Sequence, residues 1–297
     1  MTLVEKLNLY EKLMRLDKPI GILLLLWPTL WGVWLASGGR PDLKLLWIFV
    51  LGTVLMRSAG CVVNDVADRN FDPLVARTRE RPLAARKLTV TEALVLAAAL
   101  AACAFALVLQ LNRLTVMLSI AALLLAASYP FTKRFFALPQ AYLGIAFGFG
   151  IPMAYAARLG FVPPIAWLWL AANVFWAIAY DTEYAMVDRA DDARIGIKTS
   201  ALLFGRFDVA LVMACHAVFV LIMACGGQRA GLGPFFFAGL TVAAGLAAYQ
   251  YRWIRTREPA LCFKAFLHNN WVGAAVFAGI ALDFRVRTGA SPLWGVW

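Results

Sequence analysis

The chain has 297 residues, of which 62% are hydrophobic and 15% charged, with a formal net charge of +11. A soluble domain is about 45–50% apolar and about 25% charged, so this composition excludes an ordinary soluble enzyme. It indicates a polytopic membrane protein read as a single domain over residues 1–297. The apolar stretches are continuous rather than short and alternating, which excludes a β-barrel and makes helices of roughly 20 residues the spanning elements.

The first 18 residues mix Leu3, Leu7, Leu13 and Leu16 with Glu5, Glu11 and Asp17. Such acids fit neither a cleavable signal nor an organellar leader. The pattern predicts a short amphipathic helix at the membrane interface. Spans follow at 19–37 and 44–63. The second contains Arg57, a costly charge at that depth and therefore a functional candidate. Its guanidinium is suited to hold a planar carboxylate; snorkelling or an ion pair with another span is the plainer alternative. The span runs directly into NDVADRNFD, residues 64–72. If the helix continues, Asn64, Asp68 and Asp72 are spaced i, i+4, i+8 and share a face, with Asp65 off it.

RTRERPLAARK, residues 77–87, brings Arg77, Arg79 and Arg81. Spans at 89–110 and 114–131 lead to SYPFTKR, residues 128–134, with Lys133 and Arg134. Spans at 138–157 and 162–182 lead to YDTEYAMVDRADD, residues 180–192, in which Asp188 and Asp192 share a helical face with Asp181 nearby. ARIGIKTSALLFG, residues 193–205, adds Lys198. Spans at 206–226, 232–250 and 270–284 bring the expected number to nine, the last being the shortest. His216 and His268 have no partner at ligand spacing and are expected to be structural. The five cysteines form no CxxC pair and read as reduced core residues.

Numbering the loops alternately puts most Lys and Arg on the side of the N-terminus, which the positive-inside rule makes cytoplasmic. The positive charge thus needs no nucleic-acid partner. Eight of the 17 acids, Asp65, Asp68, Asp72, Asp181, Glu183, Asp188, Asp191 and Asp192, fall in the two windows at that side. Both windows read D-R-x-x-D, 120 residues apart, which suggests two related halves. Stacked carboxylates repel unless a cation compensates, and hard oxygen donors suit Mg²⁺ completed by substrate phosphates. Arg and Lys around such a site would bind a diphosphate. Solvated loop acids explain one such Asp more easily than two clusters. An EF-hand fails on spacing. An ion-coupled transporter would place its acids at the midplane. A CDP-alcohol phosphotransferase would need a different motif after the first Asp pair.

NDVADRNFD together with YDTEYAMVDRADDARIGIKTSALLFG resembles the UbiA superfamily of intramembrane prenyltransferases, and the wording of the second window resembles its hydroxybenzoate branch. The resemblance runs from LMRLDKPIGILLLLWPTLWG (residues 13–32) to FLHNNWVGAAVFAG (266–279). It implies nine transmembrane helices around a central cavity open to the cytoplasm and laterally to lipid. It implies Asn64, Asp68, Asp72, Asp188 and Asp192 as ligands of Mg²⁺, the four aspartates being catalytic. It further implies Arg69, Arg77, Lys133, Arg134 and Lys198 as diphosphate-binding cations and Arg57 as the residue facing an aromatic acid. The implied substrates are a polyprenyl diphosphate and 4-hydroxybenzoate, in ubiquinone biosynthesis. The implied setting is a bacterial cytoplasmic membrane, with no obligate protein partner.

Overall fold

The computed structural model describes residues 2–287; Met1 and residues 288–297 of the expected single domain lie outside the described residues. The described chain is all-helical. Helix α1 (Leu3–Met14) starts at a capping box in which Thr2 and Glu5 satisfy each other's backbone N–H groups. It ends at Arg15 in the left-handed region, φ +58°. Leu13 is buried against α3 and α4, whereas Leu3, Val4 and Leu7 face outward.

Helices α2 (Ile20–Ala36) and α3 (Leu43–Asp68) follow. Asp42 caps α3 by accepting from the Leu45 N–H at 2.7 Å. After the basic loop come α4 (Val90–Val108) and α5 (Arg113–Thr132). The stretch expected as one span at 138–157 is two helices, α6 (Pro139–Gly148) and α7 (Gly150–Leu159), interrupted at Phe149. Then come α8 (Pro164–Val187), the short α9 (Arg189–Ile195) and α10 (Ser200–Phe204), and the long α11 (Asp208–Arg229), α12 (Pro234–Ile254) and α13 (Pro259–Val286). Helix α13 begins eleven residues before the expected span at 270–284. Among the described residues, five stretches are long and apolar enough to cross a membrane: α3, α4, α5, residues 200–229 and α13.

Aromatic packing between α2, α8, α11 and α13 forms the main core. Trp31 and Trp176 lie 5.3 Å apart and both contact Phe219. With no lipid-driven attraction between helices, close approach and internal hydrogen bonds hold them. Gly239 of α12 meets Gly279 of α13 so closely that a Cβ would sit 2.7 Å from the Gly279 Cα. Glu183, fully buried on α8, accepts from Asn269 Nδ2 at 2.8 Å, and Trp176 Nε1 donates to Asn269 Oδ1 at 3.0 Å. His216 lies 3.8 Å from Glu183 in the same cluster, a packing position that ties α8, α11 and α13. Helices α4 and α5 are far less buried and form the thin outer wall of a cavity.

Candidate active site

A cavity of about 1120 Å³ lies between α2, α3, α4, α5, α6, α7, α8 and α13. Its wall is apolar over most of its depth. Along α3 it is bordered by the i+4 stripe Ile48, Gly52, Met56, Gly60 and Asn64. Sixteen residues at 1.5 Å each make that stripe about 24 Å long. At the Asn64 end the lining turns polar, with Asp65, Asp181, Arg77 and Arg81.

The first acidic window divides at the end of α3. Asn64 and Asp68 share a face of the helix, but α3 stops at Asp68. Asp72 is therefore not the next residue of that face; it starts a separate 3-10 turn, Asp72–Leu74. That turn is closed by the Thr78 hydroxyl, which donates to the Asp72 carbonyl at 2.9 Å. Asp68 is 3% exposed. Its Oδ2 accepts from Lys133 Nζ, and its Oδ1 is buried with no hydrogen-bond partner. Arg81 Nη1 donates to both Asp72 oxygens, at 3.1 and 3.0 Å. Burial pushes the Asp72 carboxyl above its ordinary range; Arg81 opposes this, and Asp65 and Asp68 add to it.

The second window sits opposite. Asp188 caps α8 and accepts from Arg77, whose Nε is 3.1 and 3.0 Å from the two carboxylate oxygens. The Arg77 guanidinium also lies over the Tyr184 ring at 4.5 Å. The Ala76 N–H donates to Asp191 at 3.2 Å, so the loop after Asp72 is stapled directly onto the second window. Asp192, buried on α9, is pushed up to about 7, first by burial and then by the negative charge of Asp188, while Lys133 and Arg77 draw it down. Lys133 thus acts on an acid of each window, Asp68 and Asp192, whereas Arg77 acts on Asp188 and Asp192 of the second.

The other candidate cations are placed differently. Arg134 donates to the Ala67 carbonyl at 2.7 Å and lies over Phe71 and Phe131, closing the end of α3. Lys198 joins the site through its backbone N–H to the Lys133 carbonyl at 3.0 Å, while its ammonium donates to the Phe135 carbonyl at 3.0 Å. Arg69 donates to the Val66 carbonyl at 3.0 Å and is exposed on the outer side of its helix end. Arg57 lines the cavity two turns deeper than Asn64. Its Nε donates to the Gly21 carbonyl at 3.1 Å, its Nη1 contacts Cys61 Sγ, and it lies 5.9 Å from the Phe147 ring.

Arg15 and Lys18 also border the cavity, and Arg15 pairs with Asp65 at 2.9 Å. Sequence reasoning assigns no role to these two cations, because nothing local in 1–18 signals a contact fifty residues away. Among the described residues, no three carboxylate, thiol or imidazole side chains converge closely enough to hold a metal by themselves. The donor set nonetheless fits a hard divalent cation that shares its coordination with substrate oxygens. Asp68 Oδ1 is a buried acceptor with no partner, and Asp192 is crowded by a neighbouring carboxylate.

A family model described as the UbiA prenyltransferase family matches residues 25–278. The chain is 67% identical over 286 residues to the 4-hydroxybenzoate octaprenyltransferase of Azoarcus sp. (strain BH72), covering 96% of this chain and 100% of that one. Among solved structures it is similar to the apo structure of a UbiA homolog from Aeropyrum pernix K1, with TM-score 0.79 and 28% identity, over 88% of this chain and 97% of that one. A UbiA homolog from Archaeoglobus fulgidus bound to GPP and Mg²⁺ matches with TM-score 0.68 over 92% of this chain and 99% of that one; at 19% identity that likeness concerns the fold.

Proposed function

The chain belongs to the UbiA prenyltransferase family, and from that premise we propose how this multi-pass membrane enzyme, an aromatic prenyltransferase, uses the cavity. The polyprenyl group of a polyprenyl diphosphate is transferred to the carbon ortho to the hydroxyl of 4-hydroxybenzoate, releasing diphosphate, a step of ubiquinone biosynthesis. The supporting observation is that Lys133, paired with Asp68 and acting on Asp192, links the two acidic windows, while Arg77, which lines the polar end of an otherwise apolar cavity, pairs with Asp188.

The diphosphate head would sit at that end, against Arg77, Lys133 and Arg134, with Lys198 holding the Lys133 backbone in place. Charge-assisted donors of this kind stabilise the charge that develops on a departing diphosphate. Asn64, Asp68, Asp72, Asp188 and Asp192 would hold Mg²⁺, which when bound would neutralise the diphosphate and make it a better leaving group. Arg69, on the outer side, would guide the anionic head toward the mouth.

The tail would occupy the apolar length of the cavity. Arg57 would pair with the acceptor's carboxylate, placing the ring between the tail's first carbon and the depth of the cavity. As the allylic C–O bond breaks, the ring carbon supplies the electron pair of the new C–C bond, and the ring then loses its proton. The apolar wall keeps water from the allylic cation. The concentration of Lys and Arg at the polar mouth supports placing it on the cytoplasmic face of a bacterial inner membrane.

The test uses purified protein with radiolabelled octaprenyl diphosphate, Mg²⁺ and a panel of acceptors. Turnover with 4-hydroxybenzoate above homogentisate, dihydroxynaphthoate and haem is expected. Preference for another acceptor would replace the substrate assignment while leaving the family intact.

A further inference from the structure

Asp65 lies within the first acidic window, one residue after Asn64, and its surroundings differ from those of Asp68. It is 1% exposed. Its Oδ1 accepts from Arg15 Nη2 at 2.9 Å and from Arg81 Nη1 at 3.1 Å, and its Oδ2 accepts from Arg15 at 3.1 Å. The same Arg81 nitrogen reaches Asp72. We propose that Asp65 is a positioning residue and not a metal ligand. It is the centre of an ion-pair chain, Arg15–Asp65–Arg81–Asp72, that fixes the N-terminal segment and aims Arg81 at the diphosphate end of the cavity. The inference rests on the reading that this end takes the diphosphate.

Charge and geometry both support it. A dication on Asp65 would sit against two guanidiniums, whereas Asp68 keeps a buried oxygen with no partner. Asp65 is one residue from Asn64, so about 100° around a 3.6-residue helix, which turns it away from the Asn64–Asp68 face. Arg15 is held in the left-handed region, which L-residues rarely adopt. There its backbone N–H closes the end of α1 on Glu11 and Lys12, and its Nη1 donates to the Lys12 carbonyl at 2.8 Å. One residue therefore terminates the interfacial helix and grips the acidic window. The arrangement makes the placement of α1 on the membrane surface a determinant of where Arg81 stands.

Asp65→Asn, Asp65→Glu and Arg15→Gln, purified as full-length protein, are compared in steady-state kinetics and Mg²⁺ titration. Removing one partner of a buried pair is costly, so Asp65→Asn should raise KM for the prenyl diphosphate by roughly tenfold or more. The Mg²⁺ half-saturation should shift far less than in Asp68→Asn, the KM for the aromatic acid should stay unchanged, and Asp65→Glu should recover most of the loss. Arg15→Gln should act in the same direction, and its combination with Asp65→Asn should be no worse than Asp65→Asn alone. A shift of Mg²⁺ half-saturation as large as that of Asp68→Asn would overturn the proposal in favour of a metal ligand. An unchanged donor KM in both single variants would overturn it as well. So would a loss of kcat alone that Asp65→Glu does not recover. Failure of the wild-type protein to use any prenyl diphosphate would instead remove the functional reading beneath it.

Discussion

Lys133 Nζ donates to Asp68 Oδ2 across 65 residues of sequence, while Asp68 Oδ1 stays buried with no partner. One carboxylate thus joins α3 to the end of α5 and keeps one buried acceptor without a partner. Removing that acceptor should be severe. Asp68→Ala and Asp188→Ala should each lower turnover by about 10²-fold or more, the scale of losing one electrostatic element of an active site. Membrane insertion and elution profile should be retained. Radiolabelled product formation measures the first and gel filtration the second; normal turnover in either variant would refute the metal assignment.

Lys133→Met leaves Asp68 buried without its cation, which should lower the melting temperature in the absence of divalent metal. A ligand that binds only the folded state raises stability. Added Mg²⁺ should therefore raise the melting temperature of Lys133→Met more than that of the wild type. Thermal unfolding in detergent with and without Mg²⁺ reads this directly. Equal metal-dependent shifts would show that Lys133 and the metal do not share Asp68.

Arg57→Ala should raise KM for the aromatic acid far more than for the prenyl diphosphate. Gly21→Ala offers a second route to the same site, since its Cβ would lie 2.6 Å from Arg57 Nη2 and must displace the guanidinium. The two variants should shift the same kinetic constant in the same direction. Equal effects on both substrates would remove Arg57 from the acceptor subsite.

Asp192 contributes to the pH dependence alongside Asp72, whose carboxyl is also raised by burial. The folded value of Asp192 is pushed up to about 7 from 3.8 in the unconstrained group. The folded protein therefore favours the protonated carboxyl, and metal-free stability should fall as pH rises from near 4 to about 7, levelling above that. Metal binding needs the carboxylate, so Mg²⁺ affinity should rise over the upper part of that window with proton release. Asp192→Asn should flatten the stability profile. Melting curves across pH, and Mg²⁺ titrations at the two ends of the window, check both signs.

The α3 stripe gives a prediction about donors. A Cβ on Gly52 would meet nothing within 4 Å, and Gly52 borders the cavity about 18 Å along the helix from Asn64. Gly52→Trp should therefore leave turnover with geranyl diphosphate near normal and depress turnover with octaprenyl diphosphate. Gly245→Trp, on the outer face of α12 with equally open space, should change neither. A length-independent result for Gly52→Trp would show that the tail leaves the cavity by another path.

Much of the molecule is legible in the sequence, and the rest is not for identifiable reasons. Composition determines a helical membrane protein, because lipid cannot satisfy open backbone groups. The two acidic windows stand out because acids are scarce elsewhere, and their wording carries the family. Local periodicity could not place Asp72: the i+8 spacing assumes a helix that in fact ends at Asp68, where Arg134 takes the Ala67 carbonyl. The interruption at Phe149 was equally hidden inside a uniformly apolar run.

The pairing of charges is what only the tertiary structure decided. Arg15 with Asp65, Lys133 with Asp68 and Arg77 with Asp188 are separated by 50, 65 and 111 residues. Positive-inside bias accounts for the number of cations near the acids, but not for which cation meets which acid. That choice depends on how α1, α5 and the basic loop converge on the ends of α3 and α8. Convergence is set by packing between helices, a property no single stretch of sequence contains.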